Sequence, residues 1–190
     1  TNYPSAELFI NGVSQGVRTK DESIVMENSR GADAERNFVR QQRYRLMWMD
    51  TRYEPGEVKV VAYDKAGNAV ARRVMRTAGK PYRIVLEADR STIKADGKDL
   101  SFVTVKVVDK YGNLCPNAQH LVKYSVKGAG SYRAGANGDP TSLELFHKPQ
   151  MKVFNGMMTA IVQSSEKAGE ITLTATAKGI KAAEIVVKTE

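Results

Sequence analysis

Apolar and polar residues alternate along most of the chain with a period of two, which is the pattern of a β-strand with one buried face. The alternating runs are short, rich in β-branched residues, and separated by Gly, Pro, Asn and Asp. The predicted strands are Glu7–Ile10, Tyr44–Met49, Glu57–Asp64, Ala69–Thr77, Tyr82–Ala88, Leu100–Asp109, Leu121–Val126, Met157–Ser164, Glu170–Lys178 and Ala182–Thr189. Because no helical stretch is predicted between them, the pattern indicates an all-β fold built as sandwiches.

One turn sequence occurs twice. Residues 63–68 read YDKAGN and residues 108–113 read VDKYGN, each time after an alternating apolar run. In such a turn Asp accepts backbone hydrogen bonds, Gly supplies a positive φ, and Asn tolerates the left-handed region. We interpret the repeat as structural, with each copy closing a strand corner in its own β unit. A calcium loop would need more carboxylates at alternating positions than Asp64 or Asp109 has nearby.

A domain boundary is predicted at residues 78–81, which read AGKP. Gly frees the backbone and Pro blocks further strand pairing, and a new alternating run begins directly afterwards. The sequence therefore predicts two domains, residues 1–79 and residues 80–190. Residues 20–42 and 134–153 are the least patterned, and long loops on rigid β scaffolds often carry function.

Composition and charge narrow the classes of partner. The formal net charge is +8, with 42% hydrophobic and 26% charged residues, which is ordinary for a globular protein. The densest basic cluster, residues 36–45, is interrupted by Phe38 and Val39, so we expect no nucleic-acid partner. No apolar run approaches the roughly 20 residues that span a bilayer, so we expect no membrane partner. The chain begins with neither a signal peptide nor Met, and we expect a fragment of a longer protein.

Cysteine, histidine and carboxylate residues do not form a catalytic or metal-binding pattern. Cys115 is the one cysteine, which excludes an internal disulfide and a thiolate-rich zinc site. A half-buried structural thiol is a better interpretation than a nucleophile paired with His120. The motifs GxSxG, HExxH and GxGxxG are absent. We predict no catalytic residue, no metal site and no cofactor.

Exposed aromatic rings are the remaining candidate chemistry, since sugar-binding surfaces use them as stacking platforms. Trp48 is the single tryptophan, and a period of two places it on the same face as Leu46, which favours a core position. Tyr53, in the turn TRYEPG, is a better exposed candidate. Asn137 and Asp139, in the loop sequence NGDP, are candidate carbohydrate contacts as well.

Several stretches resemble one enzyme family. Residues 48–79, WMDTRYEPGEVKVVAYDKAGNAVARRVMRTAG, are similar to the small immunoglobulin-like domain that follows the catalytic barrel in bacterial glycoside hydrolase family 2 enzymes of the β-galactosidase type. The opening ELFINGVSQG resembles the strand and Asn-Gly hairpin that start that domain, and Asn11-Gly12 supplies the residues that a two-residue type I′ turn needs. Residues 86–113, LEADRSTIKADGKDLSFVTVKVVDKYGN, resemble the next domain of those enzymes, which is related to invasin-type bacterial immunoglobulin-like domains. Residues 20–42 depart from the family pattern, and a short strand at residues 23–26 is one option for them.

The resemblance implies two tandem immunoglobulin-like β-sandwich domains, of which residues 1–79 follow the catalytic barrel and residues 80–190 form the C-terminal domain. The catalytic glutamates of the family lie in the barrel, so this chain would be a non-catalytic accessory region that braces or shapes the barrel of the same parent chain. The parent would hydrolyse β-glycosidic bonds in the periplasm or outside the cell, and an oligosaccharide would be a second partner. The alternatives are a stand-alone carbohydrate-binding module and an adhesin-type surface stalk.

Overall fold

The structure, a computed structural model, describes residues 1–22 and 41–190. The strand considered at residues 23–26 and the basic residues Arg36 and Arg40 lie outside the described residues. The chain divides into two compact units, Thr1–Thr77 and Ala78–Glu190, here called unit 1 and unit 2.

The described residues of unit 1 form one four-stranded antiparallel sheet. Its strands are β1 (Ser5–Ile10), β2 (Val13–Thr19), β3 (Glu57–Tyr63) and β4 (Ala69–Arg76), in the spatial order β2-β1-β3-β4. The turn between β1 and β2 has positive φ at both Asn11 (49°) and Gly12 (83°), as predicted for a type I′ hairpin. Ala6, Leu8 and Ala62 are buried on one face of the sheet, whereas β4 is exposed along nearly its whole length.

The strand predicted at Tyr44–Met49 is wrong. Residues 41–44 are helical and residues 45–48 have no regular structure. Leu46, Met47 and Trp48 all line one groove of about 410 Å³ over the sheet of unit 1. Three consecutive side chains cannot point the same way in a strand, so packing onto the sheet overrides the local alternation.

Unit 2 is a two-layer β-sandwich. Its strands are β5 (Arg83–Ala88), β6 (Thr92–Ile93), β7 (Leu100–Val108), β8 (Leu121–Gly128), β9 (Gly130–Ala136), β10 (Gln150–Lys152), β11 (Met157–Ser164), β12 (Gly169–Thr176) and β13 (Ala183–Thr189). One sheet has the order β10-β8-β12-β13-β6 and the other β5-β7-β11-β9. All pairs within them are antiparallel except β13 with β6.

The core of unit 2 lies between the two sheets. The longest strands contribute alternate residues, as in Val103, Val105 and Val107 of β7, which have no exposed surface. Ile171 and Leu173 of β12 face them from the other sheet and are equally inaccessible. Burying one face of each sheet against the other is the arrangement of immunoglobulin-like sandwiches, and the all-β prediction is confirmed.

Strand β9 was not predicted, because its sequence GSYRAGA is rich in small residues. The small residues are required by close packing. A Cβ added at Gly130 would lie 2.4 Å from the main-chain oxygen of Gln163, and one added at Gly135 would lie 2.6 Å from the hydroxyl of Tyr132. Glycine here marks a close backbone approach within a strand, not a turn.

Candidate functional site

The two copies of the repeated turn hold their carboxylates in the same way. In each, one oxygen of Asp accepts the backbone N–H groups two and four residues further on, at 2.8–2.9 Å. The other oxygen accepts the side-chain amide of Asn68 for Asp64 (3.1 Å) and of Asn113 for Asp109 (3.0 Å). The glycines have φ of 85° and 90°, as predicted, but neither Asn has a positive φ. The Asn therefore serves as a side-chain donor to the carboxylate, and its tolerance of the left-handed region is not used at either position.

Asp109 differs from Asp64 in receiving one more donor. The backbone N–H of Gly79 reaches its Oδ2 at 2.8 Å, and only 1% of the Asp109 surface is exposed. The Gly79 hydrogen bond, together with those of Asn113 and Tyr111, holds the pKa of Asp109 far below its usual value. An ionised carboxylate with four donors fixes the first residues of unit 2 and has no proton to give.

Six further carboxyl groups have a pKa shifted in the same direction as that of Asp109. The pKa is lowered in Glu7, Asp64, Asp89, Asp96, Asp99 and Asp139, as it is in Asp109. A general acid needs the opposite shift, which a glycosidase produces by placing a carboxyl group in an apolar pocket. Nothing in this set resembles a catalytic acid.

Within the described residues, no hydrogen bond joins the thiol of Cys115 to Nδ1 of His120. The thiol is 4% exposed, and its Sγ lies within reach of the main-chain oxygens of Gly79 (3.6 Å) and Asn113 (3.8 Å). Burial, and then the charge of Asp109, raises the pKa of this thiol, which disfavours the nucleophilic thiolate. Cys115 is therefore a structural thiol, and it is more deeply buried than predicted.

Tyr53 lies in unit 1 and is 77% exposed. Its hydroxyl is 3.2 Å from Oγ1 of Thr77, which also accepts the N–H of Gly56 at 3.0 Å. The hydroxyl therefore closes the TRYEPG turn, while the ring faces solvent. Trp48 in the same unit is half-buried, and its indole N–H donates to the carbonyl oxygen of Gly16 at 2.8 Å.

Asn137 and Asp139 lie in unit 2, in the long connection between β9 and β10. The amide of Asn137 donates to the carbonyl oxygen of Lys152 (3.0 Å), and the Glu144 carboxylate accepts the N–H of the same residue (3.2 Å to each oxygen). Asp139 Oδ1 accepts the hydroxyl and the N–H of Thr141 at 2.7 and 2.9 Å, and these bonds lower the pKa of Asp139. The connection is thus pinned to β10 and internally braced.

Asn137 and Asp139 share a groove of about 460 Å³, here called the β10 groove. Other side chains that line it are Gln119, Leu143, Glu144, Lys152 and Phe154. Sequence reasoning found Asn137 and Asp139 but missed Gln119 and Phe154. The available signal for Phe154 was its position directly before Asn155-Gly156, a pair typical of two-residue turns.

Residues 1–22 and 41–190 contain no group of three or more His, Cys, Asp or Glu side chains placed to hold a metal ion. Within the same part of the chain, the structure has no helix of the length and apolar character that a membrane crossing requires.

Two family models match the chain. Residues 84–186 match a model described as glycoside hydrolase family 2 C-terminal domain 5. Residues 1–71 match a model described as a domain of unknown function, DUF4982. The two matches lie on either side of the division between unit 1 and unit 2.

Individual relatives point to the same enzymes. A β-galactosidase from Bacteroides ovatus is 41% identical over 97% of this chain and 19% of its own length. A β-galactosidase from Thermoanaerobacter pseudethanolicus is 37% identical over 57% of this chain and 13% of its own length. The solved structure of a glycosyl hydrolase family 2 member from Bacteroides cellulosilyticus superposes with a TM-score of 0.82 at 31% identity, covering 100% of this chain and 22% of that one. The chain thus spans about a fifth of the length of these two Bacteroides relatives.

Proposed function

The chain belongs to the glycoside hydrolase family 2 C-terminal domain 5 family, and from this premise we propose that it braces or shapes the catalytic barrel of a larger parent enzyme. It corresponds to the C-terminal, non-catalytic region of such hydrolases. The observation that carries the proposal is the family match over residues 84–186 in a chain that spans only about a fifth of the Bacteroides ovatus relative.

The chemistry of the described carboxylates supports a non-catalytic role. Hydrolysis of a glycosidic bond needs a carboxylic acid and a carboxylate on opposite sides of one bond. Here the strongly perturbed carboxylate Asp109 is surrounded by hydrogen-bond donors of the protein itself. Its oxygens therefore have no capacity left for a substrate.

We also propose the activity and location of the parent protein. The named relatives are β-galactosidases, which supports a parent that hydrolyses β-glycosidic bonds with β-galactosidase-like specificity. We further propose that the parent acts in the periplasm or outside the cell, as the resemblance to bacterial family 2 enzymes implies.

The domain assignment is a proposal as well. Residues 1–79 would form the immunoglobulin-like domain that follows the barrel, and residues 80–190 the C-terminal, invasin-like domain. The division of the structure after Thr77 and the positions of the two family matches support this assignment.

The test compares three proteins: the parent enzyme, the parent truncated before this region, and the isolated 190-residue chain. We expect the isolated chain to have no turnover on nitrophenyl glycosides. We expect the truncated parent to melt at a lower temperature or to lose kcat/KM. A lower melting temperature with an unchanged KM indicates a brace, whereas a raised KM for longer substrates indicates a contribution to the cleft.

Two outcomes would contradict the proposal. The first is reproducible turnover by the pure isolated chain. The second is a truncated parent with the same melting temperature, kcat and KM as the intact enzyme.

A further inference from the structure

We propose that the β10 groove of unit 2 binds a neutral oligosaccharide. The choice of ligand class rests on the proposed function, since an accessory region of a glycosidase works beside carbohydrate. The groove itself is argued from the contacts, exposure and charges of its own residues.

Hydrogen bonds within the chain hold the segments that line the groove. Asn137 and Glu144 hold the long connection to both the carbonyl and the N–H of Lys152, on the edge strand β10. Phe154, which also lines the groove, exchanges two backbone hydrogen bonds of 2.9 Å with Met157 across a two-residue turn. Pre-organised walls reduce the conformational entropy lost on binding, which matters for ligands as weakly bound as sugars.

Polar side chains in the groove retain unused hydrogen-bonding capacity. Asp139 accepts its internal bonds through Oδ1, and within the described part of the chain Oδ2 has no partner. The exposed amide of Gln119 likewise forms no hydrogen bond with any described residue. A carboxylate oxygen can accept two sugar hydroxyls, and an amide can both donate and accept. The Thr141 hydrogen bonds lower the pKa of Asp139, which keeps it an acceptor at neutral pH.

Apolar side chains lie beside these polar groups and can contact the C–H face of a sugar ring. Leu143 is 95% exposed and Phe154 is 38% exposed, and both line the groove. A pyranose presents C–H groups on one face and hydroxyls around its rim, so it needs a platform next to a few placed polar groups. A groove that combines Leu143 and Phe154 with Asp139 and Gln119 provides both.

The charges select a neutral ligand over an anionic one. The carboxylates of Asp139 and Glu144 both line the groove, together with the exposed Lys152. Two carboxylates beside one ammonium group disfavour phosphate, sulfate or uronate groups. They also break up the apolar surface, which makes a lipid surface a poor fit.

The experiment titrates the whole 190-residue chain with oligosaccharides derived from galactan, xylan, mannan and cellulose, and with one derived from polygalacturonate as the anionic probe. Binding is measured by calorimetry and by backbone amide chemical shifts. We expect saturable binding of at least one neutral probe, with a dissociation constant in the millimolar range or below. The shifted amides should belong to residues 137–144 and 152–154.

Variants locate the site. Asp139→Asn keeps an oxygen for Thr141 but replaces the free acceptor by a donor, and we expect an affinity loss of about tenfold. Leu143→Ala removes an exposed platform side chain, and we expect a loss of about threefold. The matched control is Tyr111→Ala, because Tyr111 is also an exposed aromatic side chain of unit 2 (76%) but does not line the groove. It should bind like the unmodified chain.

Three outcomes would overturn the inference: no saturable binding of any neutral probe, preferred binding of the anionic probe, or undiminished binding by both Asp139→Asn and Leu143→Ala. Melting temperatures of each variant exclude misfolding as the cause of a loss. The inference and the proposed function fail separately. A chain that binds no sugar can still stabilise its parent enzyme in the truncation experiment, and a chain that binds sugar can be dispensable for the parent's stability.

Discussion

The same substitution at two leucines of unit 2 should destabilise the chain strongly at one position and hardly at all at the other. Leu173 has no exposed surface and lies on β12 between Val126 of β8 and Ile185 of β13. Leu143 is 95% exposed in the connection before β10. Leu→Ala removes the same atoms at both positions, so any difference in the free energy of unfolding comes from the environment alone.

The magnitude follows from the burial. Truncating a fully buried leucine removes about three methylene equivalents, or about 2.4 kcal/mol of transfer free energy at about 0.8 kcal/mol each. The unfilled cavity adds to this, so we expect Leu173→Ala to lower the free energy of unfolding by about 3–4 kcal/mol. Leu143→Ala should change it by less than about 0.5 kcal/mol.

The assay is urea unfolding of the full chain, followed by far-UV circular dichroism, with thermal melts in parallel. For a domain of this size the Leu173→Ala loss corresponds to a fall in melting temperature of roughly 15 °C. The urea m-value should not change, because the substitution alters stability and not the surface exposed on unfolding. A difference between the two variants smaller than about 1 kcal/mol would refute the packing argument for the sandwich core.

Further predictions concern the turns. Asp109→Asn should lower the melting temperature more than Asp64→Asn, because Asp109 is buried and has one more donor; equal or reversed losses would contradict this. The folded-state pKa of Asp109 is depressed, so its carboxylate stabilises the folded chain fully above the unfolded pKa, and this stabilisation is lost as the pH falls through the folded pKa. Between about pH 5 and pH 2, the melting temperature of Asp109→Asn should therefore fall less steeply with decreasing pH than that of the unmodified chain. Gly128→Ala should prevent folding of unit 2, because the added Cβ would lie 2.0 Å from a main-chain oxygen. Gly179 has a similar φ but open space around it, so Gly179→Ala should lower the free energy of unfolding only by the left-handed backbone strain. Similar solubility and melting temperatures for the two variants would contradict the steric reasoning.

The strands that alternate most clearly were predictable from the sequence. Met157–Ser164 was predicted with the bounds that the structure has, and the Asn11-Gly12 hairpin forms with the expected backbone conformation. Period-two alternation is reliable there because one face of each strand is buried and the other is not. At Tyr44–Met49 the same alternation was misleading, since consecutive side chains pack into one groove.

The candidate site was only half predictable. Asn137 and Asp139 could be chosen because they lie in a long polar connection, where functional residues concentrate. Gln119 and Phe154 come from other segments, and only the pairing of β10 with β8 brings all four side chains to one groove. That pairing depends on tertiary packing, because a three-residue strand is too short to show a periodic pattern.

The exposed strand β4 has a consequence for association between molecules. Among the described residues it is one of the two outer strands of the unit 1 sheet, and an outer strand offers unpaired N–H and C=O groups to any other chain. Its sequence AVARRVMR places Arg72, Arg73 and Arg76 on that strand, of which Arg76 is paired with Glu57. Two copies that approached edge to edge would bring like charges together. Repulsion between the arginines of two β4 strands therefore opposes self-assembly at this exposed edge, and high salt would weaken that repulsion.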